Sequence, residues 1–262
     1  MQAQINGITL AYSDRGTGLP IVFLHAFPLN RTMWAPQEDT LSSRFRVITV
    51  DLRGHGESDA PLWRYTLDQS ADDVRALLDH LSIQQAVLAG LSMGGYILFA
   101  FYRKYAHRVK GLILADTRAQ ADTAEGKEGR FQMAQIAYTK GSPAIADLMI
   151  PKLLCPATIQ TKPELARQVR AMIERTEVSG IAGDLMAMAE RLDSTPLLPT
   201  ITCPTLLLVG DGDILTPPAD HERMATGIPG AQLHILPGAG HLSNLEQADA
   251  FNRAVESFAA GV

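Results

Sequence analysis

Short, continuously apolar runs recur along the chain at wide intervals: IVFLHAF (21–27), RVITVDLRG (46–54), AVLAGLS (86–92), KGLILADT (110–117) and PTLLLVGD (204–211). Each closes in Gly, Asp or Ser or leads straight into a turn segment, which predicts strands buried on both faces. Between them the period lengthens. Thr66 and Gln69 predict a capping box, opening a helix with Leu67, Ala71, Val74, Leu77, Leu78 and Leu81 on one face. Ser243 and Glu246 predict a second capping box, before Leu245, Ala248, Phe251, Val255 and Phe258. The N-terminal QINGITLAY predicts a hairpin turning at Asn6-Gly7. Alternating strands and helices imply an α/β fold, a mostly parallel sheet with helices on both faces.

The rhythm lapses over 118–199. No strong strand pattern occurs there; Ala, Met, Gln and Glu abound, with breakers at Gly141, Pro143, Pro151, Pro156 and Pro163. Strands resume at Pro204. A segment this long is more than a connection. It predicts a helical cap at 118–199 inserted into a core made of 1–117 and 200–262, roofing the crevice at the carboxyl edge of the sheet.

Composition adds exclusions. The 262 residues are 46% hydrophobic and 19% charged, which suits one folded core. A net charge of -5 with scattered basic residues speaks against nucleic acid and anionic membranes as partners. MQAQINGITLAY lacks the basic and apolar blocks of a leader, and no run approaches the roughly 20 apolar residues of a span, so a cytoplasmic location is expected. Cys155 and Cys203 make no disulfide framework and sit in no metal-like spacing. Neither GxxxxGK[ST] nor GxGxxG occurs, so no cofactor is expected.

The candidate chemistry starts at GLSMG (90–94), a G-x-S-x-G that follows a predicted strand and opens a predicted helix. On so sharp a turn, Cβ atoms at 90 and 94 would strike neighbouring backbone, and Gly95 would let the helix approach the sheet. Ser92 then projects above the sheet at a helix N-terminus, where negative charge is favoured. A serine hydroxyl needs a base. Of the seven histidines, His241 lies in a glycine-rich loop, PGAGHLSNLE (237–246), before the last helix. His234 falls inside a strand, His80 and His107 near helix ends, and His221 on an expected surface helix. Asp213, just past PTLLLVG, is the expected partner of His241, with Asp211 and Asp116 as competitors. Oxyanion donors are expected at the Met93 and Phe27 amides, the latter in LHAFPLN (24–30).

Together these residues resemble the α/β-hydrolase superfamily over almost the whole chain. LHAFPLN is similar to its HGFP-type segment and DLRGHGESD (51–59) to its D-x-R-G-x-G-x-S segment; GLSMGG, GDGD and GAGH follow in order. Ala26 stands where the family usually has Gly. The resemblance implies an α/β-hydrolase fold with a cap, the triad order Ser92, Asp213, His241, and structural roles for His25 and His55. Within the superfamily the sequence looks most like small capped serine carboxylesterases and 3-oxoadipate enol-lactonases. Dehalogenases and epoxide hydrolases share the scaffold but use Asp where Ser92 stands.

The expected activity is therefore ester hydrolysis through an acyl-enzyme, on small to medium, mainly apolar substrates. Lactone opening, cofactor-free perhydrolysis and C–C hydrolysis use the same triad and are the alternatives. A hydrolase-fold receptor for a small molecule and a degenerate, inactive hydrolase are readings of another kind. The cap carries Met133, Met149, Met172, Met186 and Met188. Most are expected to pack between helices, with Met133, Met149 and Met186 the candidates to face substrate. Arg118 is expected to pair with Asp122 at the cap hinge, with receipt of a substrate carboxylate as its other role. Trp34 and Trp63 are expected to pack, with a place in the pocket wall as the alternative.

Overall fold

Eight strands form one sheet in the order β1-β2-β4-β3-β5-β6-β7-β8 in a computed structural model of the chain, which describes all residues except Trp63. The suggestion that Trp63 walls a pocket therefore lies outside the described residues. The strands are β1 (Gln2–Ile5), β2 (Ile8–Arg15), β3 (Pro20–Leu24), β4 (Arg46–Val50), β5 (Ala86–Leu91), β6 (Val109–Ala115), β7 (Thr205–Gly210) and β8 (Gln232–Leu236). β1 and β2 form the antiparallel hairpin, turning at Asn6 (φ 49°) and Gly7 (φ 82°). β2 pairs antiparallel with β4, and every later pairing is parallel.

β5 and β7 are buried along their whole length, as expected of parallel strands covered on both faces. The helices are α1 (Ala35–Leu41), α2 (Leu67–His80), α3 (Met93–Tyr105), α4 (Ala124–Leu153), α5 (Pro156–Thr161), α6 (Pro163–Glu174), α7 (Val178–Ala189), α8 (Pro218–Gly227), α9 (Ser243–Glu246) and α10 (Ala248–Ala259). Thr66 caps α2 by accepting from the Gln69 amide at 3.0 Å. The second capping box does not form. Ser243 bonds Asp116, and Glu246 accepts from the amides of Gly240 (2.7 Å) and Cys155 (2.9 Å). Tertiary partners outbid the local cap, and Glu246 ties the His241 loop to the end of α4.

The helices α4 to α7 fill the interval between β6 and β7, and Gly141 (φ 78°) breaks α4 where Pro143 starts its second half. They meet the core at a seam of very close backbone. A Cβ on Gly180 of α7 would lie 2.0 Å from the Gly54 carbonyl oxygen. Beside it, His55 Nε2 and Asp184 Oδ2 are 2.7 Å apart, both buried. Among the described residues no helix is long and apolar enough to cross a membrane.

The sheet order reverses direction at β3. The chain leaves β3 for β4 on one side and resumes with β5 on the other. The crevice beyond the carboxyl ends of β3 and β5 is the switch point at which open α/β sheets bind ligands.

Candidate active site

The turn from β5 into α3 places Ser92 at φ 55°, ψ -112°, a left-handed backbone that a non-glycine residue adopts only under constraint. The constraint is visible on both sides. A Cβ on Gly90 would lie 2.4 Å from the Gly94 carbonyl carbon, and one on Gly94 would lie 2.4 Å from the Leu24 carbonyl oxygen. A Cβ on Gly95 would strike the Thr117 side chain at the end of β6, also at 2.4 Å. The three glycines thus let α3 start in contact with the ends of β3 and β6. The Ser92 amide donates to the Ala115 carbonyl at 2.9 Å, while its hydroxyl makes no hydrogen bond among the described residues.

His241 and Asp213 form a buried pair, with Nδ1 2.8 Å from Oδ2. The other carboxylate oxygen accepts from the Leu215 (2.8 Å) and Thr216 (3.1 Å) amides, and the Thr216 hydroxyl donates to Oδ2 at 2.6 Å. Burial alone would raise the Asp213 carboxyl. The neighbouring His241 and these donors outweigh it and hold the group at about 2. Both competitors have other partners. Asp211 accepts from the Gly238 amide at 2.8 Å, and Asp116 accepts from the Gly210 amide at 2.9 Å.

Ser92 and His241 open on one cavity of about 390 Å³. Phe27, Tyr96, Leu215 and Thr216, with Arg118 from the segment after β6, share its wall with Arg130, Met133, Met149, Lys152, Leu185 and Met188 of α4 and α7. Phe27 and Met93 flank Ser92 at the ends of β3 and β5, and neither amide donates a hydrogen bond among the described residues. Ala26 is fully buried, with its amide turned to Met33 Sδ at 3.3 Å.

Trp34 packs as expected, fully buried between Phe23 and Phe251 with ring centroids 4.9 and 5.9 Å away, and its alternative place as a substrate-binding wall of the Ser92 cavity is set aside. Several other sequence expectations are corrected. Met186 lines a separate hollow with Leu62, Ala134 and Tyr138, because Leu185 and Met188, three residues apart on α7, share the face towards the cavity while Met186 is rotated about 100° from Leu185. Arg118 pairs with Asp220 at 3.4 Å; Asp122 is taken by Arg130 and, at 2.7 Å, by Arg191. His221 is no surface residue. It is fully buried, its Nε2 accepts from the Thr117 amide at 3.2 Å, and burial pushes it down to about 4.

His234 apart, the other expectations for these residue types hold. His25 Nε2 accepts from the Leu52 amide at 3.0 Å, and burial, with His55 beside it, keeps the ring well below the usual histidine range. His80 and His107 are exposed, and both thiols are free and half-buried; His234, expected to be structural within its strand, is instead exposed on the edge strand β8. The sequence reading missed Tyr96, Arg130, Lys152 and Thr216. Only Thr216 carried a signal, a hydroxyl three residues after the candidate acid.

The chain belongs to the α/β hydrolase fold family, whose pattern it matches over residues 20–248. Its backbone superimposes on that of a thermophilic esterase from Thermogutta terrifontis, solved with malate bound, with a TM-score of 0.95 and 45% identity over 98% of this chain and 96% of that one. An enol-lactonase from Burkholderia xenovorans matches with a TM-score of 0.93 and 34% identity, covering 98% of this chain and 99% of its own. In sequence, 3-oxoadipate enol-lactonase 2 of Acinetobacter baylyi is 33% identical over 97% of this chain and 92% of that protein.

Proposed function

We propose that the protein is a serine hydrolase that cleaves carboxylic esters of small to medium, mainly apolar acids through an acyl-enzyme. The observation that carries this reading is the convergence on one cavity of a strained serine and a buried His241–Asp213 pair. Ser92 Oγ attacks the carbonyl carbon as His241 Nε2 takes its proton, and Asp213 holds the Nδ1–H and balances the imidazolium. The Phe27 and Met93 amides receive the oxyanion; losing one such donor costs roughly 10²–10³ in rate. His241 returns the proton to the leaving alcohol, then activates water to release the acid. The free hydroxyl of Ser92 is consistent with this, since catalytic hydrogen bonds tighten once substrate is bound.

A second reading, lactone opening on a substrate that bears a carboxylate, is favoured by the cations of the same cavity. Arg118 Nε makes no hydrogen bond among the described residues, its pairing with Asp220 being 3.4 Å long, and Lys152 and the Asp122-paired Arg130 share the wall with it. The likeness to enol-lactonases supports it. Labelling with a fluorophosphonate and mapping the modified peptide tests the shared mechanism: the label is expected on Ser92, and a label elsewhere, or none, refutes it. Neutral p-nitrophenyl esters set against acidic lactones rank the two readings by kcat/KM. Arg118→Gln is expected to impair the acidic substrates selectively if the second holds.

A further inference from the structure

A carboxyl group with no part in that reaction lies beneath all three proposed catalytic segments. Asp116, the first residue past β6, is fully buried and held at φ 42°. Among non-glycine residues, Asp and Asn tolerate this left-handed region best. Its amide donates to the Leu208 carbonyl at 2.8 Å. Its Oδ1 accepts from the amide of Gly210, which ends β7 three residues before Asp213, and its Oδ2 shares a hydrogen bond with Oγ of Ser243, two residues after His241. The next residue completes the set, for the Thr117 hydroxyl donates to the Ser92 carbonyl at 2.8 Å.

We propose that Asp116 is a positioning residue, which clamps the segments carrying Asp213 and His241 to the end of β6 and does so as an uncharged carboxylic acid. The proposal rests on the triad reading given above. A buried carboxylate survives when cations or several donors face it. Asp116 is fully buried, has the Gly210 amide and the Ser243 hydroxyl as its side-chain partners and no cation paired with it among the described residues, while the charges of Asp213 from the β7–α8 loop and Glu246 from α9 act against its own. The remaining titratable groups around it are His241 and, on α8, His221, which is bonded to the adjacent Thr117 amide; Arg118, two residues on, is turned to Asp220. Burial, then the Asp213 charge, raise the Asp116 carboxyl well above its ordinary value. In the protonated group Oδ1 still accepts from Gly210, while Oδ2–H donates to Ser243 Oγ. One negative charge, that of Asp213, is then left beside His241.

The test compares Asp116→Asn with Asp116→Gly, using kcat, KM, the pH profile of kcat/KM on a p-nitrophenyl ester, and thermal melts. Asn keeps the acceptor, offers N–H where the acid has O–H, and accepts the same φ. It is expected to retain kcat and leave the pH profile in place. Gly takes the left-handed backbone freely but removes the clamp; it is expected to melt cooperatively, keep KM, and lose kcat by about 10²-fold, the scale of a small misplacement of reacting groups. An Asn variant as impaired as Gly, or with its acid limb displaced, would mean that Asp116 acts as an anion and overturns the proposal. So would a Gly variant with undiminished kcat. Fluorophosphonate labelling of Ser92 in the unaltered protein separates these outcomes from failure of the triad itself.

Discussion

At the scale of single residues, the proposed site rests on one strained backbone and one buried, hydrogen-bonded histidine–aspartate pair. Left-handed φ at a serine costs on the order of 1–3 kcal/mol and persists only because its surroundings over-determine it. Ser92→Ala keeps that backbone and removes only the hydroxyl. Esterase activity is expected to fall by at least about 10⁴-fold with an unchanged melting temperature, a pair of readings that tells lost chemistry from lost fold. Asp213→Asn is expected to cost about 10⁴ in kcat, since the amide presents the wrong partner to Nδ1. The same group links stability to pH. Its folded value of about 2 lies below the ordinary 3.8, so its contribution is complete above about pH 4 and is lost as pH falls towards about 2. Melts across that window are expected to decline less steeply for Asp213→Asn than for the unaltered chain. The left-handed turn at Ser92 and the pairing of Asp213 with His241 were legible because each residue lies in a local pattern of glycines and strand ends. Met186 and His221 were misjudged because residue type and local period do not say which neighbour a side chain meets.

At the scale of elements, glycine positions set how closely segments approach. Those at 90 and 94 were readable from the turn they make. Gly54 and Gly180 were not, since their contact joins a core loop to a helix of the insertion more than a hundred residues away. Gly180→Ala would put a methyl 2.0 Å from the Gly54 oxygen. The seam must open, and a loss of about 1–3 kcal/mol is expected, measured as a lower denaturant midpoint with an unaltered m value. The His55–Asp184 hydrogen bond lies on that seam, so KM is expected to rise along with the loss of stability. Capping was legible at Thr66, where the interaction is local, and illegible at Ser243, where Asp116 competes for the hydroxyl across the sheet.

For the whole molecule, the cavity belongs to neither the sheet nor the insertion alone. Ser92 and His241 reach it from loops at strand ends, and Phe27, Tyr96 and Leu215 share its walls with α4 and α7, so its shape is a property of how the two are apposed. Met149, 7% exposed and facing the cavity, has space to yield there. Met149→Ala is expected to move the acyl-chain optimum to longer esters, with the ratio of kcat/KM between long and short chains changing about tenfold, the worth of a methylene or two in an apolar pocket. An unchanged ratio across a p-nitrophenyl ester series would place the acyl chain elsewhere.

The alternation of strands and helices, the sharp turn at Ser92 and the run of helices between β6 and β7 were already determined by the sequence. They follow from local chemistry: periodicity, glycine sterics and turn residues act between near neighbours. What surrounds the site was decided only in three dimensions. The burial of His221 and Asp116, the choice of Asp220 over Asp122 by Arg118, and the division of the methionines between two hollows all depend on contacts between distant segments. Such contacts are set by how whole elements pack, which no local stretch of the chain encodes by itself.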